Sequence, residues 1–305
     1  MAVAAGPPRG GRDRISALVR GNEEPAERPP RPRTVQRPNY VAGFFAAIWL
    51  VIVLAPVYVL VKGSLQNQTD YTASGPLSLP HHLTTANYKL VFQQGFLKFF
   101  LNTTIITVAV VAIVVVLVPP LAFAIVRNRG RIVGLFFKVI LLGLAVPITA
   151  VIVPIFYLIS KAGFYDTLPA VILPTAAFSI PISTVVMTGS MRDITSDMYE
   201  AMALDGASSW GTFRNLVLPL SKGGLATVII FSALQAWNGF LFPLILTQSS
   251  GVRVFTLGLY DFTTANAVDA PAICAAVVLS IVPILLVYLF ARRALIQGLM
   301  GVGGK

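Results

Sequence analysis

Six stretches of this chain, residues 41–61, 99–126, 139–160, 167–191, 223–252 and 270–291, contain no Asp, Glu, Lys, Arg or His. A helix needs roughly 20 residues to cross the hydrocarbon of a bilayer, and each stretch is long enough. Inside lipid every backbone N–H and C=O has to be satisfied within the segment, so such runs fold as helices or not at all. The sequence therefore predicts an all-α polytopic membrane protein with six transmembrane helices. Composition agrees: 56% of residues are hydrophobic, 11% are charged and the mean hydropathy is +0.78, far from globular usage. Prolines fall inside several stretches, among them Pro56, Pro119, Pro120, Pro147, Pro174, Pro181 and Pro243. Kinked spans are expected, because neighbours in a membrane bundle can satisfy the groups a proline frees.

Residues 1–40 carry eight Arg and four acids among many Pro and Gly, a composition that buries no core and predicts a disordered, basic cytosolic tail. Residues 41–305 form the permeation domain. No short apolar run directly follows a basic start, so the tail reads as retained. Loop by loop, the tail has eight basic residues. The loop after the second stretch has Arg127, Arg129, Arg131 and Lys138, the loop after the fourth has Arg192, Arg214 and Lys222, and the C-terminus has Arg292, Arg293 and Lys305. The alternate loops hold only Lys62, Lys89, Lys98, Lys161 and Arg253. Basic residues collect on the cytosolic side, which puts both termini and the loop between spans four and five there. The net charge of +11 is thus spread over helix ends, not gathered into the aromatic-interleaved stripe that binds nucleic acid.

Residues that would run chemistry are missing from the spans. Ionisable groups inside a bilayer usually mark a proton or ion route, and none of the six stretches has one. There is no phosphate-binding G-x-x-x-x-G-K-[ST], no Ser/His/Asp set and no Cys cluster; Cys274 is alone, and His81 and His82 lie in a loop with no partner ligands. A catalytic site and a metal site are not expected, and any uphill work needs energy from another chain. The polar residues that do enter the spans are neutral: Asn102, Thr103 and Thr104; Ser179, Ser183, Thr184 and Thr188; Gln235 and Asn238. Two readings stay open for them, hydrogen bonds between helices or a path for a neutral, hydroxyl-rich solute. Ser179 with Ser183, and Gln235 with Asn238, recur at helical spacing and can face one cavity. Trp237 beside them can stack on a sugar ring or simply pack.

Between the fourth and fifth stretches runs "YEAMALDGASSWGTFRNLVLPL", with Asp193, Asp197, Glu200 and Asp205 supplying four of the chain's twelve acids in and just before it. Asp197 and Glu200 are spaced as a capping pair, and Gly206 suits the left-handed end of a short helix. A second helix is expected to start at Ser208 or Ser209 and to stop near Leu218, before Pro219. Trp210, Phe213 and Val217 then form its apolar stripe. The bland alternative is a solvated loop lying on the membrane surface.

These residues also resemble the EAA motif of binding-protein-dependent ABC importer permeases. Glu200, Ala201, Gly206, Leu218 and Pro219 stand at its spacing, with Met202 and Leu216 as departures. "LDGAS", "QAWNGFLFPLIL" and the ending "RRALIQGLMGVGGK" are similar to the carbohydrate branch, the maltose-type permeases. Gly239, where an acid is common, and "SKGG", where a proline is common, depart from that pattern. The resemblance implies a type I permease fold with a cytosolic coupling helix between spans four and five, in segment 195–220. It implies a prokaryotic inner-membrane location, a second permease subunit, two cytosolic ATPases that bind ATP and Mg, and an extracytoplasmic solute-binding protein. Glu200, Ala201, Asp205, Gly206, Leu218 and Pro219 are the coupling residues it implies; Ser179, Ser183, Gln235, Trp237 and Asn238 are the candidate pathway. The outer loop 247–269 would face the binding protein, and Tyr88 and Phe92 would anchor the first outer loop at the membrane surface. A self-sufficient facilitator, and an importer of glycerol phosphate or a polyol, are the alternatives.

Overall fold

Helices account for every regular element in the described residues, which in this computed structural model are 39–303 apart from 81, 129 and 264–267. The tail at 1–38 and His81 lie outside them. In chain order they are α1 (Tyr40–Ser64), α2 (Gln68–Ala73), α3 (Ala86–Gln93), α4 (Phe96–Arg127), α5 (Arg131–Ala145), α6 (Ile148–Lys161) and α7 (Leu168–Arg192). There follow α8 (Ser196–Leu204), α9 (Ser209–Thr212), a π-helical turn (Phe213–Val217), α10 (Leu218–Leu220) and α11 (Lys222–Trp237). The chain closes with α12 (Leu241–Leu246), α13 (Phe255–Gly258), a 3-10 turn (Leu259–Phe262) and α14 (Ala270–Gly303).

The core is set by a strict four-residue repeat on α4. Ile106, Val110, Val114, Val118 and Ala122 recur on one face and are fully buried. A pure i, i+4 row is one ridge of a helix, and it seats against α7 and α11. Close approach is built in: a Cβ on Gly224 of α11 would stand 2.5 Å from Ser190 Cβ of α7, and one on Gly143 of α5 would stand 2.9 Å from Pro181 Cγ.

The expected kinks are present in the spans. Among the described residues α1, α4 and α7 are long and apolar enough to cross a membrane, and the number reaches five if two bent pairs each count as one span. The expected third span breaks at Val146 and Pro147, where α5 and α6 diverge by 106°. Proline forces the residue before it out of the helical region, and Val146 is accordingly extended (φ −82°, ψ 113°). The expected fifth span also ends early, at Trp237, and its start is bent by 76° from α9–α10 at Ser221. That bend falls at "SKGG". In the last helix the apolar described portion is Ala270–Leu286.

The segment between α1 and α4 is tied back to the end of α1. Asn87 of α3 is buried and donates to the carbonyls of Ser64 (2.9 Å) and Gln66 (2.8 Å), while the Tyr88 hydroxyl meets Ser64 Oγ at 2.8 Å. Only Phe92 of the expected anchor pair stays exposed. Lys62, at the end of α1, is buried as well, and its ammonium donates to Gly75 O and Ser78 Oγ, both at 2.7 Å.

Candidate functional site

At one end of α4 stands a knob made of α8 and the helix that follows. Thr195 caps α8 without a side-chain hydrogen bond, so Asp197 sits in the first turn and not at the cap expected for it. There its charge still complements the positive helix end. The other end closes as a Schellman turn: Ala207 N–H donates to Met202 O (3.0 Å), Gly206 N–H to Ala203 O (3.1 Å), and Gly206 adopts φ +72°. Ser208 then caps α9, its hydroxyl accepting from Gly211 N–H at 3.1 Å.

Pro219 does not stop the second helix, contrary to the sequence expectation. The turn widens to π over Phe213–Val217, with Leu218 N–H donating to Phe213 O, and the proline enters as part of the short α10. An i→i+5 turn relieves the contact between a proline ring and the preceding carbonyls, which an α-turn would not. The apolar stripe is also only partly as expected. Phe213 and Val217 are buried, and Phe213 meets Phe123 of α4 at 5.3 Å, but Trp210 is 65% exposed and leans on Phe213 from outside.

Glu200, Ala201, Asp205, Gly206 and Pro219 are exposed and Leu218 is half-buried. Beside the acids, Leu204 (89% exposed) and Met198 (46%) present apolar surface to solvent. The knob is fastened through Tyr199, 7% exposed, with the Arg127 guanidinium 4.9 Å over its ring. Burial raises the Tyr199 hydroxyl above its ordinary pKa, and Arg127 works the other way.

Along α4 from the knob, a half-open cavity of about 290 Å³ brings together Ser179 of α7 with Gln235 and Asn238 at the end of α11. Ile148, Phe178, Phe240 and Pro243 supply apolar wall. Ser183 and Trp237 do not line it. Ser183 is buried between helices, and Trp237 packs at 5.4 Å from Phe100 and 5.6 Å from Phe255. Three hydroxyls of α7 bond within their own helix: Ser179, Thr184 and Thr188 donate to the carbonyls four residues back, at 2.8 to 2.9 Å. The interhelical bonds expected of them are replaced by bonds within one helix.

The segment that follows α12 is strapped to the helices. Asn102 Nδ2 donates to Gly251 O (3.0 Å) and Arg253 O (2.9 Å), and Phe255 N–H donates to Thr103 Oγ1 (3.1 Å). Thr256 donates to Gly239 O at 2.8 Å, and Arg253 pairs with Asp261. Asp166, in the left-handed region at φ 61°, accepts from Gln248 N–H (2.7 Å) and Ser249 N–H (2.9 Å), which holds its carboxyl below the usual range. Sequence reading missed Asp166 and gave Asn102 and Thr103 another role. The pattern that links them spans up to 152 positions, and no local spacing signals it. Asn102→Leu would strip two part-buried carbonyls of their donor, at about 1–3 kcal/mol each. Limited proteolysis should then cut within 247–269 several-fold faster, and an unchanged cleavage rate would show the strap to be incidental.

An apolar helical bundle with an exposed, glycine-ended knob at one end of its central helix and a fastened loop at the other defines a membrane-embedded transport component. Residues 119–299 match the family of binding-protein-dependent transport system inner membrane components, and the chain belongs to that family. It is 34% identical over 250 residues to the diacetylchitobiose uptake system permease protein NgcG of Streptomyces coelicolor, covering 81% of this chain and 82% of that protein. It is 29% identical over 266 residues to the arabinooligosaccharides transport system permease protein AraQ of Halalkalibacterium halodurans, covering 85% and 93%. In fold it is similar to a solved chain of a bacterial ABC transporter that imports alginate, with TM-score 0.72 and 20% identity over 83% of this chain and 95% of that one.

Proposed function

We propose that this permease forms half of the pathway by which an ATP-driven importer takes up a sugar or oligosaccharide handed over by an extracytoplasmic binding protein. The observation that carries the reading is the cavity of Ser179, Gln235 and Asn238, whose described lining is neutral and amide-rich with Phe178 and Phe240 in its wall. Neutral donors and acceptors beside aromatic faces suit hydroxylated rings, whereas a phosphate would call for Arg or Lys. Relatives whose names specify diacetylchitobiose and arabinooligosaccharides support the same solute class.

The chain itself hydrolyses nothing in this reading. ATP and Mg bind two cytosolic ATPase subunits, and a second permease completes the pathway. The knob enters a groove of one ATPase, led by Leu204, Met198 and Trp210 and oriented by Glu200 and Asp205. Closure of the ATPases pushes on α9–α10, and Phe213 against Phe123 passes the displacement to α4. The helices then rock between inward- and outward-open states, with the energy drawn from the nucleotide. Both termini face the cytosol, following the distribution of Lys and Arg.

The test is reconstitution of the complete complex in proteoliposomes with a panel of binding-protein sugars. Gln235→Ala with Asn238→Ala should lower uptake about tenfold, as expected for removing two hydrogen-bonding groups, while binding-protein-stimulated ATP hydrolysis persists. Unaltered uptake would remove the cavity from the pathway. Downhill flux through the purified permease alone would replace the importer reading with a facilitator.

A further inference from the structure

A second cavity, of about 420 Å³, opens where the knob meets the ends of α4 and α7. It is lined by Ile125, Val126, Arg127, Asn128, Arg192, Ile194, Ser196 and Tyr199, and serves neither the sugar path nor the exposed docking surface. Arg127 and Arg192 are the last residues of two apolar helices, so they stand where hydrocarbon gives way to headgroups. Among the described residues the sole ion pair is Arg253 with Asp261, which leaves both guanidinium groups without a carboxylate. Each lies over an aromatic ring, Arg127 over Tyr199 at 4.9 Å and Arg192 over Phe137 at 5.9 Å. Stacking engages the face of a guanidinium and leaves the N–H donors of its rim for an anion.

Two further observations point the same way. Tyr199 is more than nine-tenths buried, lines this cavity and has a hydroxyl without a hydrogen-bond partner. The nine-residue α8 begins here at Ser196, and its cap Thr195 supplies no side-chain bond to the N–H groups of the first turn. A helix start with free N–H groups favours negative charge. The Ser196 hydroxyl reaches Asp197 Oδ1 at 3.5 Å, but neither Asp197 nor Asp193 lines the cavity.

We infer that this cavity holds the phosphate of an anionic phospholipid headgroup, clamped between Arg127 and Arg192. Its acyl chains follow the apolar ends of α4 and α7, which Ile125 and Val126 mark at the cavity wall. The headgroup neutralises the two cations and braces α8 against the membrane. The effect on coupling, unlike the binding itself, rests on the reading of α8 as the element that meets the ATPase.

The experiment is native mass spectrometry of the whole complex, released from nanodiscs of phosphatidylcholine with or without phosphatidylglycerol. Wild type should retain phosphatidylglycerol, and Arg127→Gln with Arg192→Gln should retain it about thirtyfold less, on the scale of two basic residues acting on an anionic surface. Arg192→Gln alone leaves the Arg127–Tyr199 contact in place and should give an intermediate loss, should the double variant fail to assemble. Inorganic phosphate at millimolar concentration distinguishes the sources. Retention of the lipid in its presence supports a headgroup site, and displacement of the lipid by phosphate assigns the site to a soluble anion and overturns the inference. Equal retention by wild type and Arg192→Gln overturns it too. Because binding is read without transport, a failed sugar assay leaves the result standing.

Discussion

Replacing Gly206 by proline is expected to abolish ATP-driven uptake while the chain remains inserted in the membrane. At φ +72° this residue closes α8, and proline is confined near −65°. Proline also removes the N–H that Gly206 gives to Ala203 O at 3.1 Å. Space is not the obstacle, since a Cβ at Gly206 would have nothing within 4 Å. Gly206→Ala therefore carries only the left-handed penalty of about 1–2 kcal/mol and should lose far less activity. The pair separates backbone geometry from bulk. Glu200→Lys supplies the electrostatic counterpart: the side chain is exposed, so folding should be spared and ATP hydrolysis should no longer respond to the binding protein. Full uptake in Gly206→Pro and Glu200→Lys would sink the docking role of the knob.

Gly224→Leu should have the larger effect on the fold. A Cβ there would stand 2.5 Å from Ser190 Cβ and 2.6 Å from its hydroxyl, so α7 and α11 would have to separate. Overpacking of this kind costs about 1–3 kcal/mol and at times more. Thermal unfolding in detergent should move several degrees lower and yield should fall. The contact can be tested from both sides: Gly224→Ala with Ser190→Gly adds a methyl group on α11 while removing the hydroxymethyl group it would strike on α7, leaving Met187 Sδ at 3.8 Å as the next neighbour. That double variant should be more stable than Gly224→Ala alone, and additivity of the two changes would argue that the helices do not meet as described.

Charge-free length and local spacing made much of this molecule legible. The existence of the apolar helices, the Gly206 turn and the Ser208 cap all follow from rules acting within a few residues. What was not legible depended on partners far along the chain. Proline is the clearest instance: Pro119, Pro120, Pro174 and Pro181 lie inside continuous helices, Pro147 starts one after a sharp bend, and Pro219 is carried by a π turn. The residue type is the same, and tertiary packing decides which outcome is accommodated. At the cavity, spacing brought Gln235 and Asn238 to one side, but Ser183 was placed there by the same rule and is buried elsewhere. A helical face is broad, and the neighbour against it determines which part stays open.

At 1.5 Å per residue, the 32 residues of α4 measure about 48 Å, longer than the bilayer's hydrocarbon is thick. Asn102 and Thr103 fasten the outer loop near its start, and Arg127 holds Tyr199 at its last turn. One stiff rod is thus gripped at both of its ends. In the proposed importer, arrival of a loaded receptor at one end and closure of the motor at the other become displacements of a single body, so fuel is spent in step with delivery without a relay of charges through the lipid.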